Sequence, residues 1–140
     1  MKLFQIEEPD GTPIDPDMPG VAVGIDLGGA EAAVAVSVGG NAEILKDRDG
    51  FELSLAVPPL DAPVQDWELL FEGARLRAER ALSQPVTHAV IALAALPKAD
   101  LRQRLERAAE TAGLSVLRLV GGMNAGEAAI LAEDLAPRPS

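Results

Sequence analysis

Residues 23–36 read VGIDLGGAEAAVAV, and the fold turns on how they are interpreted. Two apolar runs flank Gly28 and Gly29, the pattern of two strands joined by a bend of small residues. Asp26 stands near the end of the first run. A carboxylate beside such a bend can hold a phosphate through backbone N–H groups, or the phosphate's metal through its oxygens. The second run ends in no Lys or Arg that would neutralise a phosphate, so the stretch reads as a nucleotide-site scaffold stripped of its chemistry.

Working outward, strands are expected over 21–27, 32–38 and 42–45, with Gly39-Gly40-Asn41 as a hairpin connection between antiparallel neighbours. A strand-like piece over 51–57 is closed by Pro58-Pro59. Asp61 and Pro63 introduce a helix over 64–82, with Trp67, Leu70, Phe71, Ala74, Ala78 and Ala81 recurring on one face. A buried strand follows over 87–94. Residues 97–100 start a second helix, with Leu101, Leu105, Ala108 and Ala112 inward and Arg102, Arg104, Glu106, Arg107 and Glu110 outward, and Gly113 ends it. A strand over 116–120, the Gly121-Gly122 turn and a helix over 125–133 complete the series. This order suits a three-layer α/β domain of ribonuclease-H-like type, with a mixed five-stranded sheet flanked by helices. The expected division is an acidic, Pro-rich arm over 1–20, a single domain over 21–135 and a tail over 136–140. The arm segment 7–20, EEPDGTPIDPDMPG, is too polar and too broken for a core element, while Phe4 and Ile6 can pin its beginning to the domain.

The chain has 140 residues, enough to bury roughly two thirds of its unfolded surface in one core. Three Phe, one Trp and no Tyr leave that core to Ala, Val, Leu and Ile. Twelve basic against 22 acidic side chains give a net charge of −10, a field that opposes nucleic acid, anionic lipid and unaccompanied ATP. No Cys and a single His argue against structural zinc, thiol catalysis and disulfide stapling. No apolar segment approaches a membrane-spanning length, the opening lacks a signal-peptide pattern, and the cytoplasm is the expected compartment.

Three stretches carry a family resemblance. The opening FQIEEP followed by AVGIDLGG, the segment NAEILKDRDGFELSLAVPP, and residues 86–119, VTHAVIALAALPKADLRQRLERAAETAGLSVLRL, together resemble the first lobe of the ATPase domain of DnaK-type heat-shock chaperones. The opening is most similar to the HscA branch, which serves iron-sulfur cluster assembly. The resemblance implies that an inserted subdomain carrying a phosphate-contacting lysine is missing here, since residues 58–64 cross the gap directly. The second lobe, with its second phosphate loop and adenosine pocket, and the peptide-binding domain are also absent from this chain.

The resemblance further implies which residues occupy the old nucleotide site. The family's Leu-Gly-Thr-Thr-Asn run becomes Leu27, Gly28, Gly29, Ala30 and Glu31, losing both hydroxyls and gaining an acid. Gly28, Gly29 and Ala30 are thus residual cofactor-binding positions. Asp26 matches the carboxylate that organises Mg²⁺, making it both a cofactor and a metal position. The family's later acid falls at Gly122. Asn124 and Glu127 have capping-box spacing, which gives Glu127 a structural role, and His88 lacks the partners a catalytic His requires.

The expected function is therefore a noncatalytic, chaperone-like protein-binding or scaffold module linked to iron-sulfur cluster assembly, its partner a chaperone, co-chaperone or assembly component. The alternative is a nucleotide-binding half-site that needs a second polypeptide to bind or hydrolyse ATP. The isolated chain is expected to lack ATPase activity and to need no cofactor, ATP and Mg²⁺ being at most weak or partner-dependent ligands. Neither nucleic acid nor membrane is an expected partner, and homodimerisation through the exposed lobe surface stays open.

Overall fold

A computed structural model describes residues 20–45 and 55–136. Its elements run β1 (Val21–Asp26), β2 (Ala33–Val38), β3 (Asn41–Leu45), α1 (Val64–Leu82), β4 (Val86–Leu93), α2 (Ala99–Thr111), β5 (Ser115–Gly121) and α3 (Ala125–Leu135). The five strands form one mixed sheet in the order β3-β2-β1-β4-β5. β1 pairs antiparallel with β2 and parallel with β4, β2 pairs antiparallel with β3, and β4 pairs parallel with β5. The expected mixed sheet flanked by helices is thus present. The arm over 1–19, residues 46–54 and the end of the tail lie outside the described residues.

Alternation along the strands explains the layers. Val23 and Ile25 of β1, Val34 and Val36 of β2, and Ala89, Ile91 and Leu93 of β4 point to one face, where they join Trp67, Leu70, Phe71, Ala74 and Ala78 of α1 and Leu105, Ala108 and Ala109 of α2. Ala22, Ala35, Val90 and Ala92 point to the other face and meet Ala125, Ala128, Ala129 and Ala132 of α3. Trp67 and Phe71 stack with ring centroids 6.5 Å apart, so the two described aromatics both lie on the α1 side. The Trp67 indole N–H is buried with no hydrogen-bond partner among the described residues.

The small residues on the α3 side let helix and sheet approach backbone to backbone. A Cβ added to Gly24 would lie 2.3 Å from the Ala129 nitrogen and 2.8 Å from the Ala125 oxygen. Gly39 and Gly40, at φ 62° and 85°, make the expected hairpin turn, a backbone form that glycine adopts without strain. Glu133 of α3 closes over that turn, accepting hydrogen bonds from Ser37 Oγ at 2.8 Å, Gly39 N at 2.7 Å and Gly40 N at 3.0 Å.

Two expectations need correction. Ala81 is exposed, because the core-facing row of α1 steps from Ala78 to Leu82, which packs against the cluster instead. Of the expected 51–57 strand, the described end makes only an isolated antiparallel bridge, Glu31 to Ala56. Two hydrogen bonds frame it, Ala32 N to Leu55 O at 2.8 Å and Val57 N to Ala30 O at 3.0 Å. Pro58 and Pro59, which carry no N–H, prevent the ladder from continuing.

Candidate functional site

Asp26 ends β1 at the C-terminal edge of the parallel strands, the edge where open α/β sheets usually carry ligands. Its Oδ1 accepts a hydrogen bond from Gly28 N at 2.8 Å, so the carboxylate closes its own turn and occupies one N–H that a phosphate would need. Gly28, Gly29 and Ala30 are exposed, and neither glycine has a positive φ. The hydroxyl-free loop after them is tied down by the bridge to Ala56, with Glu31 exposed beside it.

The other residues weighed in the sequence supply Asp26 with no second carboxylate. Gly122, at φ 81°, donates its N–H to Leu93 O at 2.9 Å and has no side chain to offer. Asn124 and Glu127 form the expected capping box: Glu127 N donates to Asn124 Oδ1 at 2.8 Å and Asn124 N donates to Glu127 Oε1 at 3.0 Å. Glu127 is therefore directed to the start of its own helix. His88 pairs with Ala22 at the opposite end of β1, its Nδ1 lies 2.7 Å from Thr87 Oγ1, and burial lowers its pKa below the ordinary 6.5.

Among the described residues, no group of three or more His, Asp and Glu side chains could hold a metal ion. A magnesium nucleotide draws on several oxygen donors or on cations for its phosphates; at the end of β1, Asp26 has one oxygen already bonded to Gly28.

What sequence reasoning missed is a cleft of about 790 Å³ next to Gly28, between the 60–61 crossing and the loop that leads from β4 into α2. Leu27, Leu60, Leu93, Leu96, Pro97 and Leu101 supply its apolar walls, while Lys98, Arg104, Asp61 and Asp100 supply its charges. Leu60 and Leu96, 63% and 56% exposed, both line the cleft and leave an uncovered apolar surface there. The loop lies close over β5: a Cβ on Gly121 would come within 2.5 Å of Leu96 N. Only the coincidence of two distant loops creates the cleft, and the sole sequence signal was the placement of Leu60 and Leu96 outside any amphipathic pattern. No protein-family model and no curated protein matches this chain.

Proposed function

We propose that this chain is a noncatalytic protein-binding or scaffold module built on a ribonuclease-H-like lobe of DnaK type, most like the HscA branch, and that it serves iron-sulfur cluster assembly in the cytoplasm. The observation that carries the reading is the state of Asp26. Its carboxylate is engaged by the Gly28 N–H at 2.8 Å, making it a turn-closing group. The strand order β3-β2-β1-β4-β5, with α1 and α2 on one face and α3 on the other, supports the lobe assignment. No described helix is long and apolar enough to cross a membrane.

An uncovered apolar cleft at the same edge favours binding over chemistry. In phosphoryl transfer the protein contributes positioning and charge stabilisation, and the loop after β1 has no hydroxyl and an N–H already taken by Asp26. Affinity capture from native cells tests the proposal: specific recovery of a chaperone, co-chaperone or iron-sulfur assembly component supports it. Recovery of an ATPase second lobe, with nucleotide bound only by the pair, overturns it in favour of a split nucleotide site.

A further inference from the structure

We propose that the cleft between the 60–61 crossing and the 94–98 loop is the docking site of the chain's own N-terminal segment, Leu3-Phe4-Gln5-Ile6-Glu7-Glu8. The cleft presents Leu60, Leu96 and Leu101 as an apolar surface, and the segment supplies Leu3, Phe4 and Ile6. Covering exposed leucines with these side chains is favourable at about 25 cal/mol per Å² of apolar surface removed from water.

Charge selects the same place. The chain as a whole carries −10, so an acidic segment meets repulsion over most of the surface. At the cleft, the exposed Lys98 and Arg104, the latter with Nη1 3.5 Å from Leu60 O, offset Asp61 and Asp100, so Glu7 and Glu8 meet a locally neutral lining there.

The tether is long enough. The chain enters β1 at Val21, whose N–H bonds Pro85 O at the end of the sheet remote from the cleft. The docked segment must travel at least the length of β1, about 20 Å for six residues. At about 3.1 Å per residue, residues 9–19, including Pro9, Pro13, Pro16 and Pro19, have a reach of up to about 34 Å.

The absence of cysteine gives a direct test, because two introduced thiols are the only ones present. Gln5→Cys is combined with Leu96→Cys in one variant and with Leu69→Cys in a second. Leu69, 67% exposed on α1, serves as an accessible reference outside the cleft. Each intramolecular oxidation rate is divided by that thiol's rate with a small disulfide. The expected result is oxidation about tenfold faster at position 96 than at 69, the effect of raised local concentration. Adding Phe4→Ser and Ile6→Ser should bring the ratio close to one, and Lys98→Glu with Arg104→Glu should lower it. A ratio near one in the parent pair, a preference for position 69, or disulfide-linked dimers in dilute protein would overturn the proposal.

Discussion

Replacing Gly24 with Ala perturbs the closest helix-sheet contact by a single methyl group. The added Cβ would sit 2.3 Å from Ala129 N, 2.7 Å from Ala128 C and 2.8 Å from Ala125 O, all of them backbone atoms that cannot rotate away. Restoring ordinary contact at 3.4 Å requires α3 to retreat by about 1 Å. A gap of that size forfeits up to about half of each dispersion contact it opens, and it opens them along Ala125, Ala128, Ala129 and Ala132. Overpacking alone costs about 1–3 kcal/mol, and the helix displacement places Gly24→Ala at about 3 kcal/mol. With a urea m-value of about 1.5 kcal/mol/M, the unfolding midpoint should fall by about 2 M. Trp67, the only tryptophan and fully buried on α1, reports the transition by fluorescence from the opposite face of the sheet. Gly126→Ala is the matched control: its Cβ meets only ordinary contacts at 3.5 Å, and a helical Gly-to-Ala change should be neutral or stabilising by up to about 1 kcal/mol. A Gly24→Ala midpoint within about 0.5 M of the parent would refute the close-packing argument.

Trp67→Ala should cost about 3–5 kcal/mol, because the fully buried indole leaves a cavity; urea unfolding followed by far-ultraviolet circular dichroism measures it. Glu133→Ala should cost about 1–3 kcal/mol and accelerate hydrogen exchange at Gly39 and Gly40, whose N–H groups it accepts. Purified chain with ATP and Mg²⁺ should release no phosphate above background; turnover that disappears in Asp26→Ala would contradict the noncatalytic reading. His88, its pKa lowered by burial, favours the folded state when neutral: its contribution is complete above 6.5 and is lost as pH falls through the lower folded value. Stability of the parent should therefore decline more than that of His88→Gln on acidification below 6.5, measured by urea midpoints across pH.

The element order was legible because the helices and strands have distinct apolar periods. Leu70, Phe71, Ala74 and Ala78 recur at helical spacing, while Val23 and Ile25 alternate with residues of the other face. The Asn124–Glu127 cap was also readable, since its chemistry is local. Tertiary choices were less so: whether Ala81 or Leu82 faces the core depends on where α1 lies over the sheet. Gly24 looks like any strand glycine until a helix from 100 residues later rests on it, its backbone around Ala125 within 2.8 Å of where a Cβ would stand. At the site, the run VGIDLGG singled out Asp26 and its loop as a candidate, yet no spacing rule could say that Gly28 N–H would take up the carboxylate. The cleft was hidden for the same reason, because Leu60 and Leu96 are brought together only by the folded chain.

The hydrogen bond between Ser37 and Glu133 joins residues 96 positions apart, and it belongs to the same helix that seals Gly24. During synthesis the β1–β2–β3 meander leaves the ribosome long before either its turn lock or its Ala-rich cover exists. At about 5–20 residues per second, that interval lasts on the order of 5–20 seconds. For that time Ala22 and Ala35 lack their cover, and Val90 and Ala92 join the unsealed face once β4 has been made. A nascent chain of this design is thus expected to engage holding chaperones, and its yield in cells should follow their supply more closely than its final stability.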